Sequence, residues 1–146
     1  MVTELESYSS KETYELGFKA GERAEANEIY TLTGDLGVGK TVFAQGFAAG
    51  LGIKDYVNSP TFTILQIYEG GRLTLYHFDV YRIGDSIEME DIGFDEYVEA
   101  GGVCLIEWAG IIEDILPSGV INVDIAKCPE KGFDYRKIII SSEEKT

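Results

Sequence analysis

Residues 34 to 41 read Gly-Asp-Leu-Gly-Val-Gly-Lys-Thr, following a strand-like run that ends at Thr33 and running into a helix-like run from Thr41. The spacing Gly34-x-x-x-x-Gly39-Lys40-Thr41 is that of a phosphate-binding loop, and it arises by chance in such a chain about 1% of the time. A triphosphate presents crowded anionic oxygens, and successive backbone N–H groups converge on them only where no side chain intervenes. Glycines make that wrap possible. A helix opening at Thr41 aims its positive end at the same oxygens, Lys40 can reach the β and γ phosphates, and the Thr41 hydroxyl can ligate a bridging Mg²⁺. Gly34, Leu36, Gly37, Val38, Gly39, Lys40, Thr41 and Val42 are therefore the expected ATP-binding segment. The chain has no Asn-Lys-x-Asp signature for guanine, so adenine is preferred.

The flanking pattern supports this context. Ser9 and Glu12 form a helix-start pair, which predicts a first helix over about 10–24 with Leu16, Gly17 and Ala20 on one face. Residues 28–33 alternate as a strand, and the helix after the loop closes near Leu51. Residues 62–68 and 73–80 read as a hairpin joined by Glu69-Gly-Gly-Arg72, a tight turn with positive φ expected at both glycines. The acidic stretch 85–99 reads as one or two short surface helices. Val103 to Ile106 reads as a central strand covered on both faces, and residues 111–116 as one or two helical turns before Pro117. Strands are expected over about 120–126 and 135–141, and Ser141 to Thr146 is expected to fray. Strands alternating with helices, followed by hairpins, give an α/β domain with a mixed sheet.

With 146 residues, 45% of them hydrophobic, the chain can bury one core and not two, so residues 1–146 are read as one domain. It shows no membrane-length apolar run and no secretory signal, and a cytoplasmic location is expected. Cys104 and Cys128 form no C-x-x-C pair and read as packed thiols. The net charge of −14 repels a phosphate backbone and argues against autonomous nucleic-acid binding. That acidity either keeps the protein soluble or docks a basic partner.

Nucleotide chemistry also needs a carboxylate for the metal. Two apolar runs end in an acid, one at Asp79 and one at Glu107, and strand ends form the ligand-binding rim of open α/β sheets. Either acid could instead simply be solvated where its strand stops. His77 shares a strand face with Asp79 and reads as hydrogen-bonded support more than as a catalyst. As the single histidine, it excludes a multi-histidine metal site. On periodicity alone Trp108 reads as a packing residue.

Four separated segments, GDLGVGKT, SPTF at 59–62, HFDVYR at 77–82 and IEW at 106–108, resemble in order and spacing the bacterial TsaE (YjeE) family. The resemblance runs from the first helix to at least Pro117. It implies a P-loop NTPase, a three-layer α/β sandwich whose mixed central sheet has a parallel core and antiparallel flanking strands. It further implies a Mg²⁺-dependent ATPase acting with TsaB and TsaD to make threonylcarbamoyladenosine (t6A) at position 37 of tRNA. On that likeness Thr41 and Glu107 hold Mg²⁺, with Asp79 in the same cluster, and Lys40, Asp79 and Glu107 carry the catalysis. Thr61 and Trp108 lie near the nucleotide, while Arg136 and Ser10 lie near the base. Gly110 departs from the family's usual polar residue, and the residues after Pro117 diverge.

No arginine among Arg23, Arg72, Arg82 and Arg136 stands in a clear finger position, so turnover is expected to be slow alone and faster in the complex. Two other readings remain: a small-metabolite kinase, and a nucleotide-dependent binding module in which hydrolysis is incidental.

Overall fold

The computed structural model describes residues 2–34, 38–55, 57, 64–81 and 83–142. Seven strands form one sheet: β1 (Val2–Ser7), β2 (Ile29–Thr33), β3 (Leu65–Tyr68), β4 (Leu75–Asp79), β5 (Val103–Glu107), β6 (Ile121–Lys127) and β7 (Arg136–Ser142), in the order β1-β7-β6-β2-β5-β4-β3. The four central strands β6, β2, β5 and β4 are parallel. The outer pairings, β1 with β7, β7 with β6 and β3 with β4, are antiparallel. A parallel core with antiparallel flanks is the sheet expected from the sequence.

Alternation along the central strands divides the apolar residues between two faces. Leu75, Val103, Leu105, Leu32 and Val123 join Phe43, Phe47 and Ala48 in one core, beneath helices α1 (Ser10–Arg23) and α2 (Lys40–Gly50). Phe78, Cys104 and Ile106 face the other way and pack on Met89, Phe94 and Ile112. Those three belong to α3 (Ser86–Ile92), α4 (Phe94–Val98) and a 3-10 segment, Ala109–Ile115. All five residues of β5 are buried, as a strand covered on both sides requires.

Helices α1 and α2 meet through glycines. A methyl group at Gly17 or Gly21 would run into the carbonyl of Phe43 or Phe47, and one at Gly46 or Gly50 into that of Tyr14 or Phe18. The contact is reciprocal at i, i+4 on both helices, so backbone packs on backbone. This close contact fixes the helix that follows the phosphate loop. At the other end, Ser9 caps α1 by accepting from the Glu12 N–H at 3.1 Å, as the capping pattern predicts.

Two expectations need correction, and one strand went unread. Val2–Ser7 is a strand, although its acidic, largely exposed sequence gave no signal for one. Ser141 and Ser142 do not fray: Ser141 pairs with Val2 and Asn122, and Ser142 with Ile121. The β3–β4 connection is not a two-residue turn, because Tyr68 pairs with Leu75 and leaves residues 69–74 between them. Only Gly70 there has positive φ (98°). Gly71 is required instead by close approach, since a methyl group on it would lie 2.5 Å from the Leu51 carbonyl oxygen. Arg72 ties this loop to the helices, its N–H donating to Leu51 O at 2.6 Å and its guanidinium to Gly21 O and Glu22 O.

Candidate functional site: a phosphate loop beside two strand-end carboxylates

Strand β2 ends at Thr33, and the chain turns at Gly34 with φ 145°. A Cβ there would lie 2.5 Å from Ile125 O and 2.8 Å from Val38 Cγ1, so the turn admits only glycine. Asp35, Leu36 and Gly37 lie outside the described residues. The chain re-emerges with buried Val38 and then Gly39, whose φ of 109° starts α2 from the left-handed region. The N-cap residue Gly39 has no side chain with which to cap α2, and the helix's first turn carries no acid. The first helical backbone bond is Phe43 N–H to Gly39 O at 3.0 Å, so the N–H groups of Lys40, Thr41 and Val42 precede the hydrogen-bond ladder. N–H donors at the positive end of a helix suit an anion.

Lys40 is buried, with its Nζ 4.3 Å from the centroid of the Trp108 ring. Trp108 itself is left-handed (φ 64°, ψ 33°), a conformation costing a bulky residue about 1–2 kcal/mol. That reversal directly after β5 carries the indole toward Lys40 and Tyr81, whose ring centroid lies 4.9 Å away. Periodicity suggested packing for Trp108, and its ring does pack against the second core. Its contact with the loop lysine was not visible from the spacing. Tyr81 was missed as well, although it sits inside the HFDVYR segment.

The two carboxylates come together through strand register. Asp79, last in β4, pairs with Glu107, last in β5, and Glu107 pairs with Leu32 in β2, one residue before the strand's end. Asp79 Oδ1 accepts from the Tyr81 N–H at 3.0 Å. Glu107 is 3% exposed, and His77 Nε2 lies 2.9 Å from its Oε2. The histidine is therefore hydrogen-bonded support, as its isolation in the sequence suggested. Thr41, second in α2, offers a hydroxyl at the end of the helix that opens on the loop. Among the described residues no three His, Cys, Asp or Glu side chains cluster as a self-sufficient metal cage. Two carboxylates and a hydroxyl, all hard oxygen donors, suit a Mg²⁺ ion whose remaining ligands are phosphate oxygens and water.

Candidates on the base side flank the loop. Arg136 Nε donates to the Val38 carbonyl at 2.7 Å, and its Nη1 donates to Phe133 O and Tyr135 O. Ser7 pairs with Arg136 across β1 and β7, and the Ser7 hydroxyl is 2.7 Å from that of Thr13 in the first turn of α1. Thr13 Cγ2 would be 3.9 Å from a Cβ on Gly39, so this turn borders the loop. Ser10, first in α1, is exposed at the same end. Thr61 and the rest of 58–63, together with Arg82, lie outside the described residues. A cleft of about 710 Å³ over Thr31, Thr33, Asn122 and Glu113 contains none of the candidate residues. With no cation in its lining, it does not suit a phosphate.

The family model for "Threonylcarbamoyl adenosine biosynthesis protein TsaE" matches residues 7–138. The chain belongs to the TsaE family. It is 50% identical over 119 residues to the tRNA threonylcarbamoyladenosine biosynthesis protein TsaE of Bacillus subtilis, an alignment covering 82% of this chain and 72% of that one. It is 42% identical over 119 residues to the TsaE protein of Treponema pallidum, covering 82% and 87% of the two chains. The crystal structure of YdiB from Bacillus subtilis superposes with a TM-score of 0.83 at 38% identity, covering 97% of this chain and 86% of that one. The TsaE match thus spans the phosphate loop, both carboxylates and Arg136. No helix among the described residues is long and apolar enough to cross a membrane.

Proposed function

We propose that this TsaE-family protein is a P-loop ATPase that binds and hydrolyses Mg–ATP in support of tRNA threonylcarbamoylation, acting with TsaB and TsaD. The observation that carries this reading is the juxtaposition of a glycine-entered α2 with the Asp79–Glu107 pair at neighbouring strand ends, Lys40 of α2 lying over Trp108 beside Glu107. The names of the relatives support the tRNA modification itself.

The residues divide the work. Backbone N–H groups from Gly34 to Val42 bind the phosphates, and Lys40 leaves the Trp108 face to neutralise the β and γ oxygens. Thr41, Glu107 and Asp79 would hold Mg²⁺. The ion, when bound, neutralises charge building on the transferred phosphoryl group. Glu107 and Asp79 also keep strong acceptors at the rim where an attacking water must be oriented. Arg72 and Arg136 are both committed to backbone carbonyls, which supports slow turnover alone and charge stabilisation supplied by a partner. The acidic surface (net charge −14) fits tRNA being reached through that complex, in the cytoplasm. A small-metabolite kinase usually adds an arginine-bearing lid over the transferred phosphoryl group, and α3 and α4 carry no lysine or arginine.

Reconstitution with purified TsaB, TsaD and tRNA tests the proposal. Threonylcarbamoylation should require this protein and ATP, and Lys40→Ala or Glu107→Gln should abolish its contribution. Modification that proceeds equally well without the protein would refute it. Hydrolysis by the isolated protein as fast as in the complex would remove the partner-activation part.

A further inference from the structure

His77 is the chain's single histidine and is fully buried on β4. Its Nε2 is 2.9 Å from Glu107 Oε2. A carboxylate only accepts, so Nε2 carries the hydrogen and donates it. The ring's other nitrogen, Nδ1, is buried with no hydrogen-bond partner among the described residues. A polar ring buried merely to fill space is at a disadvantage against an apolar one, because each unmade bond costs about 1–3 kcal/mol. The bond to Glu107 accounts for a histidine here.

Strand register shows what that bond does. His77 pairs with Leu105, so the ring stands one same-face position behind the Asp79–Glu107 pair and reaches diagonally forward to the acid. Glu107 ends its strand just before the left-handed turn at Trp108, and its side chain rotates about three bonds. An anchor on a ring packed within the sheet removes much of that freedom.

We propose that His77 is a positioning residue that holds the Glu107 carboxylate in the orientation in which it receives the metal. This rests on the reading of Glu107 as a Mg²⁺ ligand. Partners of this kind behind a metal-binding side chain change metal affinity by about 10–100-fold when removed.

The test is Mn²⁺ binding, in place of Mg²⁺, to the full chain with ATP, followed by electron paramagnetic resonance. ATP affinity without metal and the urea midpoint are measured alongside. His77→Leu should weaken Mn²⁺ binding about 10-fold and leave metal-free ATP affinity within twofold. His77→Gln, which keeps a donor near the Nε2 position, should recover most of the loss, whereas His77→Asn should not. Glu107→Gln separates the two claims. A loss in Glu107→Gln with none in His77→Leu overturns the positioning role alone, and no loss in either overturns the metal reading with it. Should His77→Leu fail to fold, the Gln and Asn variants decide, and equal Mn²⁺ affinity in both overturns the proposal. In the wild-type protein, ¹⁵N spectra of the single imidazole should show hydrogen on Nε2, and an Nε2 without hydrogen would also overturn it.

Discussion

The Lys40 ammonium sits 4.3 Å above the Trp108 ring centroid, so the loop's cation rests on the residue that immediately follows the buried Glu107. Such a contact contributes about 0.5–1 kcal/mol when exposed and about 2 when desolvated, which offsets part of the cost of burying a lysine that is only 7% exposed. On the proposed function, phosphates compete for the same cation. Trp108 is the single tryptophan, so its emission reports the competition directly. Adding Mg–ATP should shift that emission, and Lys40→Ala should alter the spectrum of the free protein and remove the response. A Lys40→Ala spectrum identical to wild type would show that the contact does not form in solution.

The glycine contact between α1 and α2 predicts an inversion of helix propensity. Alanine is the better helix former by about 1 kcal/mol, yet a methyl group at Gly17 or Gly46 meets a backbone carbonyl that cannot move alone. Gly17→Ala and Gly46→Ala should each destabilise by about 2–3 kcal/mol, read from the urea midpoint. Gly110 has open space around its Cβ position, and Gly110→Ala should stay within about 0.5 kcal/mol of wild type. Stabilisation by either helix variant would mean that the two backbones are not in contact.

The parts of this architecture readable in the sequence are those written in local pattern. Capping at Ser9, the apolar run Val103–Ile106 of β5 and the glycines around Lys40 announce their elements because the physics acts within a few residues. Strand β1 was silent because its partner, β7, lies 129 to 139 residues away along the chain and because an edge strand can remain acidic and exposed. The Asp79–Glu107 pairing was half legible: each acid marks a strand end, but register between parallel strands depends on the crossover joining them. Gly71 was misread because a glycine required by close approach looks the same in sequence as one required by positive φ.

Burial pushes the Cys104 thiol up to about 12. The folded-state value lies above the unfolded one, near 8.5, so folding favours the protonated thiol. Stability is unaffected by this group below about pH 8.5 and falls as pH rises above that value toward the folded one. Wild type should therefore lose stability across that alkaline range more steeply than Cys104→Ala, as measured by urea denaturation at stepped pH. In the native protein at pH 8, a thiol reagent should modify half-buried Cys128 first and reach Cys104 only at the rate of unfolding. Equal labelling rates would contradict the burial of Cys104.

Arg136 is expected near the base on family likeness, while its Nε donates to the Val38 carbonyl at 2.7 Å within the phosphate loop. The two roles predict different losses. If the guanidinium mainly holds the loop, Arg136→Ala should weaken ATP and inorganic tripolyphosphate by the same factor, about 10-fold for one charge-assisted bond of about 1.4 kcal/mol. If it mainly contacts the adenine, tripolyphosphate binding should be untouched. Three carbonyls converge on this one side chain, and a planar fork with several donors suits that task better than lysine's point charge. The shared loss is the expected result, and Arg136→Lys should recover only part of it. Calorimetry with both ligands decides, and an ATP-specific loss would assign Arg136 to the base.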